Sequence, residues 1–260
     1  VEMICCIIQA RTGSTRLPKK VIQKIDNNLT VLDYVINQVK CSKKIEKIVV
    51  ATTDLIEDNS ICKYVNLQKI EYFRGSSEDV LDRFYQCAKK KSAKTIIRIT
   101  ADNPLIDPNI IDKIIDEYKN KKCDFITNTL HRTFPYGTEV EVFSFESLEK
   151  AWKNAKKPSE REHVTPFIRN PENKFILSNI EHQEDISHLR YTIDRMDDLK
   201  LVKEIVKNIL TRPILLQDVI KLHKNKPEIF EINKNIKHDG YFLSLKKDKK
   251  YFKSNNNESP

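Results

Sequence analysis

Short β-branched runs alternate with amphipathic stretches along most of the chain. Runs suited to strands lie at Met3–Gln9, Lys47–Thr52, Thr95–Thr100 and Val140–Phe145. Between them, apolar residues recur at helical spacing in residues 31–39, 80–88 and 110–118. Because strands and helices follow one another in turn, the pattern predicts an α/β fold with a mostly parallel central sheet covered by helices on both faces.

The later part of the chain continues this pattern into a basic C-terminal segment. Leu189–Ile193 is typical of a strand, and Met196–Leu210 has the apolar spacing of a helix. From residue 221 to residue 253 there are ten lysines against four acids. We therefore predict a domain over residues 1–225 and a basic, solvated extension over residues 226–260, with the last seven residues disordered.

Composition indicates a globular protein. The 260 residues are 39% hydrophobic and 32% charged, and the formal net charge is +9. The apolar run at residues 3–8 is far shorter than the roughly 20 residues of a membrane span, and no secretory signal is recognisable. The six cysteines lack CxxC spacing, which favours reduced thiols. We expect a cytoplasmic protein without a membrane span.

A basic loop follows the first predicted strand, in the stretch IIQARTGSTRLPKK. Ligands of open α/β sheets bind beyond the carboxyl ends of the strands, where this loop lies. Gly13 would let the backbone approach an anion, Ser14 and Thr15 offer donors, and Arg16 and Lys20 supply charge. The motif is neither a P-loop nor GxGxxG. Polyphosphate binding fits best; an RNA-binding loop, which lacks interleaved aromatic residues here, and a plain surface loop remain alternatives.

Two aspartates follow strand-like runs and are candidates for a magnesium site. Asp102 comes after Thr95–Thr100 in RITADNPLIDP, and Asp194 ends the run Leu189–Ile193. Carboxylates facing a phosphate loop suit Mg²⁺. Each residue alone could instead cap a turn or a helix, but two of them beside one basic loop favour a metal.

Seven blocks of sequence resemble one family. They are QARTGSTRLPKKV, VVATTD, FRGSSEDVLDRF, RITADNPLIDP, YGTEVEVFSFESLEKAW, REHVTPFI and LRYTIDRMDDLKLV. In this order and context they resemble the cytidylyltransferases, in particular the SpsF-like proteins of spore coat polysaccharide biosynthesis, which are related to CMP-acylneuraminate and CMP-Kdo synthetases. The resemblance extends over about residues 3–225.

The resemblance implies a three-layer nucleotide-diphospho-sugar transferase (GT-A-like) fold, with CTP as the donor substrate and Mg²⁺ as the cofactor. It places six residues in the nucleotide loop: Ala10, Arg11, Gly13, Ser14, Arg16 and Lys20. It places Thr52, Ser77 and Asp79 near the base and ribose, Arg98 near the phosphates, and Asp102 and Asp194 on the metal. The chain departs from the family at Lys19, where glycine is usual, and at Asn103, where cysteine is common.

The implied reaction joins CMP from CTP to an acceptor and releases pyrophosphate. An acceptor oxygen would attack the α-phosphorus, while Arg16, Lys20 and the metal at Asp102 offset the growing charge. The acceptor would be a sugar acid, a phosphorylated sugar or a similar anion. Candidate acceptor contacts are His131, Arg132, Glu139, Glu141 and His163.

Each acceptor candidate has a second interpretation. His131 and Arg132 could lie in a solvated loop, and His163 could cap a helix or pack in the core instead of acting as an acid or base. Glu139 and Glu141 share a strand face and could line a dimer interface; the stretch TEVEVFSF resembles a segment that pairs protomers, so we expect a homodimer.

Two other functions remain open at this point. One is a nucleotidylyltransferase that uses GTP or UTP. The other is a non-catalytic module that binds nucleic acid or a surface through its basic charge. The second leaves the aspartates at the strand ends unexplained, so we expect no nucleic-acid partner.

Overall fold

The computed structural model describes residues 3–236, 245–249 and 251. Within that part of the chain, seven strands form one sheet. The strands are β1 (Ile4–Gln9), β2 (Lys47–Thr53), β3 (Glu71–Gly75), β4 (Thr95–Thr100), β5 (Phe125–Thr127), β6 (Glu141–Ser144) and β7 (Leu177–Asn179).

The sheet is mostly parallel, in the order β3-β2-β1-β4-β6-β5-β7. β1 pairs in parallel with both β2 and β4, and β2 with β3, whereas β6 runs antiparallel between β4 and β5. Gln9, the last residue of β1, is in register with Ala51 and with Thr100. The loops that follow β1 and β4 therefore leave the sheet side by side.

An α-helix follows each of the strands β1 to β4, and the spacing predicts three of these four helices. The same three begin at a side chain that accepts a backbone amide proton: Thr30, which forms a capping box with Asp33, Asp79, and Asp107, which precedes Pro108. The α-helices are α1 (Val31–Lys40), α2 (Asn59–Leu67), α3 (Val80–Lys90), α4 (Pro108–Asn120), α5 (Phe145–Asn154), α6 (Pro158–His163), α7 (Pro166–Arg169), α8 (Met196–Asn208) and α9 (Leu216–Asn225).

The sheet separates two apolar cores. Cys6 and Ile8 of β1 pack in the core that includes α1, α4, α8 and α9, while Cys5 and Ile7 pack in the core that includes α3 and α5. Successive residues of a strand point to opposite faces, so both faces are covered. This arrangement confirms the predicted three-layer α/β fold.

An aromatic stack joins α3 to α5 on the second face. The rings of Tyr85 and Trp152 lie parallel with their centroids 4.0 Å apart. Trp152 Nε1 donates a hydrogen bond to Asp82 at 2.8 Å, so its polar edge is satisfied as well.

Leu189–Ile193 was predicted as a strand, and this prediction is wrong. Only Arg190 forms a bridge, with Tyr136, and the rest of the run is irregular although buried. Three strands were not predicted. β5 and β7 have three residues each, too few for a periodic pattern, and β3 begins with exposed residues at the edge of the sheet.

The core continues beyond the boundary predicted at residue 225. A 3₁₀-helix, Pro227–Asn233, places Phe230 and Asn233 inside it. The segment SNNNESP lies outside the described residues. All six cysteines are free thiols, as predicted. No helix in the described ranges is both long and apolar enough to cross a membrane.

The strand β6 is an interior strand, paired on both edges. The acidic face of Glu139 and Glu141 is covered within the same chain, because Arg132 contacts Glu139 at 2.8 Å and Arg98 contacts Glu141 at 2.6 Å. This face therefore needs no partner subunit to cover its carboxylates, and the homodimer stays a prediction.

Candidate active site

The basic loop leaves β1 and is fixed to the neighbouring strand by a buried carboxylate. Asp58 Oδ1 accepts hydrogen bonds from the backbone N of Thr12 at 2.8 Å and from its hydroxyl at 2.6 Å. Asp58 Oδ2 accepts from the hydroxyl of Thr53. Although burial would raise the pKa of Asp58, these donors lower it below its usual value.

The loop needs unusual backbone freedom at Lys19 rather than at Gly13. Lys19 adopts φ 55°, in the left-handed region, and its N–H donates to the carbonyl of Thr12 at 3.1 Å. A glycine would hold this conformation without strain, which gives a physical reason for the glycine usual here in the family that the sequence resembles. A Cβ added to Gly13 would meet open space, so the fold does not require glycine there.

Lys20 lies between the two candidate metal aspartates. Its Nζ is 2.6 Å from Asp102 Oδ2 and 2.8 Å from Asp194 Oδ1. Arg16 reaches the same Asp194 oxygen at 2.9 Å. The predicted basic loop thus meets both predicted aspartates, Asp102 and Asp194, at one point.

This cluster is strongly coupled electrostatically. Burial alone would lower the pKa of Lys20, but Asp102 and Asp194 raise it above its ordinary value. Burial would raise the pKa of Asp194, but Lys20, Arg16 and Arg190 hold it well below its usual range. The site therefore holds ionised groups at neutral pH.

A buried network that the sequence did not reveal holds Asp194. Arg190 donates to Asp194 Oδ2 at 2.9 Å and, through Nε, to Asp198 Oδ1 at 2.9 Å. Asp198, which is fully buried, accepts from the backbone N of Asp194 at 2.9 Å and from Asn233 at 2.9 Å. These side chains, together with backbone hydrogen bonds to Tyr136 and Asp102, fix the irregular run before α8.

A cleft of about 490 Å³ opens over this cluster. Its basic lining includes Arg11, Arg16, Lys20, Arg98 and Lys247, and its acidic lining is Asp102, Glu162 and Asp194. The predicted loop residues Gly13 and Ser14 also line it. The cleft lies at the carboxyl ends of β1 and β4, as predicted.

Two further cavities adjoin this cleft, of about 700 and 240 Å³. Arg98 lines all three, and Glu141 and Arg132 line the two outer ones. His163 lines the cleft and the larger cavity, and burial together with nearby Arg98 lowers its pKa, which favours the neutral imidazole. Glu139 lines the smaller cavity.

Five predicted site residues lie outside these cavities. Ala10 is buried and donates its N–H to Ala51; Thr52 is buried with its hydroxyl on Asp58. Asp79 caps α3 and contacts Arg161, beside half-buried Ser77. His131 is on the surface, 3.1 Å from Glu181.

Arg83, which was not singled out in the sequence, contacts Ser76, the neighbour of the predicted residue Ser77. It is fully buried, its NH1 donates to the carbonyl of Ser76 at 2.6 Å, and burial lowers its pKa to about 10. Its Nε and second terminal nitrogen have no hydrogen-bond partner among the described residues. Buried donors of this kind are costly unless a ligand or water completes them.

The two aspartates fit a divalent cation. Both carboxylates contact the Lys20 ammonium, so they lie close enough together to share one cation. Mg²⁺ commonly binds proteins through one or two carboxylates, with substrate phosphates and water as its other ligands. The described residues contain no group of three or more histidine, cysteine or carboxylate side chains that could hold a metal ion by themselves.

The cytidylyltransferase family model matches residues 5–236, which span the loop, both aspartates and Asn233. The chain belongs to the cytidylyltransferase family. It is therefore a CTP-dependent nucleotidyltransferase with a nucleotide-sugar transferase-like fold.

Three proteins similar to this cytidylyltransferase match it over most of their length. MJ1063 of Methanocaldococcus jannaschii is 40% identical over 237 residues, which cover 90% of this chain and 96% of that protein. The spore coat polysaccharide biosynthesis protein SpsF of Bacillus subtilis is 32% identical over 233 residues, covering 86% and 95%. A solved cytidylyltransferase of Leptospira borgpetersenii has a TM-score of 0.85 and 33% identity, covering 90% and 99%.

Proposed function

We propose that the protein transfers CMP from CTP to a sugar acid, a phosphorylated sugar or a similar anionic acceptor, with Mg²⁺ as cofactor and release of pyrophosphate. The observation that carries this proposal is the convergence of Lys20, Asp102 and Asp194 in the cleft. The similarity to SpsF supports a role in the synthesis of a surface polysaccharide or glycoconjugate.

The triphosphate would lie along the basic loop. Arg11, Arg16, Lys20 and Arg98 all line the cleft. As pyrophosphate departs, the charge on its oxygens grows, and positioned cations stabilise that charge more than they stabilise the ground state. A bound Mg²⁺, held by Asp102 and Asp194, would supply further charge neutralisation at the phosphates.

The base would lie towards Ser77 and Asp79, which the family resemblance places beside it. Arg83 is fully buried and lines none of the three cavities, so we assign it no direct contact with the base. Cytosine has an acceptor at N3 where uracil has an N–H, and guanine differs in size and in its edge groups, so UTP and GTP are the informative competitors.

The acceptor would occupy the outer cavities. Arg98, Arg132 and Arg169 line both of them beside Glu141, and these arginines would supply the donors for an anionic acceptor. Arg132 also stacks over the ring of Tyr136, 3.9 Å from its centroid, and is therefore held in place. Neutral His163 lines both the cleft and the larger cavity. If the acceptor reacts through a hydroxyl, His163 would accept its proton.

A nucleotide panel tests this function. The purified chain is heated with Mg²⁺ and equal concentrations of CTP, UTP, GTP or ATP, and the melting temperature is recorded. CTP should give the largest rise, since binding to the native state alone stabilises it. A larger rise with GTP would overturn the assignment of CTP, and no rise with any nucleotide would overturn the nucleotide site.

A further inference from the structure

A short segment near the C-terminus is packed against the active-site cleft. Residues 245–249 are helical and lie beyond residue 236, where the family match ends. Asp248 of this segment is buried; its carboxylate accepts from the backbone N of Ser159 at 2.9 Å and from the Ser159 hydroxyl at 2.6 Å. These two bonds fix the segment to α6.

The attachment places Lys247 in the lining of the cleft. Its Nζ contacts Glu162 of α6 at 2.8 Å, and both residues line the 490 Å³ cleft together with Arg16 and Lys20. Leu245 and Asp248 line the adjoining 700 Å³ cavity. The segment thus lines both the 490 Å³ cleft and the 700 Å³ cavity, and Lys247 is its basic residue in the cleft.

The charge of Glu162 gives a reason for a cation at this side of the cleft. Glu162 adds a third carboxylate to the cleft, where Asp102 and Asp194 are already paired with Lys20 and Arg16. Like charges in a partly desolvated space repel, so Glu162 alone would oppose binding of a triphosphate. Lys247 offsets that charge, and its ammonium has three protons, enough for Glu162 and a phosphate oxygen at once.

We propose that Lys247 is a polyphosphate-binding residue supplied from outside the matched domain, with Asp248 as the residue that positions it. The proposal rests on the function proposed above. The ligand group is the anionic phosphate chain of the nucleotide, and the base is not involved.

Calorimetric titration of the full chain with CTP and Mg²⁺ tests this role. Lys247→Ala should weaken CTP binding roughly tenfold, the scale of one charge-assisted contact, and should weaken binding of inorganic pyrophosphate by a similar factor. CMP binding should change less. Lys246→Ala is the matched control, because Lys246 is exposed and lines neither cavity.

A double-mutant cycle separates attraction to the ligand from neutralisation of Glu162. Glu162→Gln in the Lys247→Ala background should restore part of the affinity. Asp248→Ala should also weaken CTP binding, with Lys247 still present. Circular dichroism of each variant confirms that it is folded.

The outcomes discriminate between the two proposals. If the unmodified protein binds CTP and Lys247→Ala binds it as tightly as Lys246→Ala does, this inference is overturned while the proposed function stands. If Lys247→Ala weakens CMP and CTP equally, the contact is not with the phosphate chain and the inference is again wrong. If the unmodified protein binds no CTP, the proposed function itself fails.

Discussion

The arrangement of charges around Lys20 determines what each residue of the loop contributes. Lys20 contacts both aspartates and is mostly buried, whereas Lys19 beside it is exposed and serves the backbone turn. Two adjacent lysines in the sequence therefore have different roles. The family resemblance already distinguishes them, and the left-handed conformation of Lys19 gives the physical reason.

Lys20→Ala should lower the rate of pyrophosphate release from CTP about a hundredfold, or about 3 kcal/mol, because in the proposed function it removes a cation that stabilises the departing phosphates. Lys19→Gly should change the rate little and should not lower the melting temperature, since glycine suits φ 55°. The assay measures pyrophosphate with a working acceptor. Equal, small losses for both variants would contradict the role given to Lys20.

The elements that carry the site are tied together by buried carboxylates. Asp58 joins the loop after β1 to the end of β2, and Asp198 joins the turn before α8 to Arg190 and Asn233. Each carboxylate accepts hydrogen bonds from two or more segments. The buried carboxylates of Asp58 and Asp198 therefore hold these loops in position.

Asp58→Asn should destabilise the protein by about 1–3 kcal/mol, because an amide nitrogen would replace an oxygen that accepts from the Thr12 or Thr53 donors. CTP affinity should fall as well, since Thr12 starts the basic loop. Exposed Asp54→Asn provides the matched control. Chemical denaturation measures the free energy of unfolding. If Asp58→Asn leaves that free energy unchanged, the anchoring role of Asp58 is disproved.

The same residue should give the stability a pH dependence. The pKa of Asp58 is lower in the folded protein than in the unfolded chain, where it is about 3.9. Its contribution is therefore present above that value and is lost as the pH falls through the folded-state pKa. The Asp58→Asn protein should accordingly lose less stability than the unmodified protein on acidification below pH of about 4.

The sequence predicts those candidate site residues that have a characteristic side chain and directly follow a strand. It misses the residues whose role depends on being buried. The basic loop, Asp102 and the alternation of β1, β2 and β4 were readable because each shows a local pattern. Arg190, Asp198 and Arg83 were not, because a charged residue in a sequence gives no sign that it will be buried. Leu189–Ile193 has the composition of a strand but pairs only at Arg190, and composition alone does not specify a partner.

At the scale of the molecule, the core ends later than the sequence suggests. Phe230 packs edge-on against His223 and Tyr191, with ring centroids 4.7 and 6.3 Å away, and Asn233 binds Asp198. Residues beyond 225 therefore stabilise the turn that presents Asp194. The match of the family model to residue 236 agrees with this extent.

Phe230→Ala should lower the free energy of unfolding by about 3 kcal/mol, the lower end of the cost of removing a buried phenylalanine. Leu210→Ala, at a side chain that is 86% exposed, should have little effect. Denaturant titration of the two variants measures the difference. Equal stabilities would mean that the folded domain does end near residue 225.

The Tyr85–Trp152 stack gives the protein an internal spectroscopic reporter. Trp152 is the single tryptophan of the chain, and it packs on the sheet face opposite the one that contains Phe230. Its emission therefore follows the environment of one layer, whereas far-ultraviolet ellipticity follows the helices of both. Comparing the two signals during denaturation shows whether the layers come apart together or one at a time.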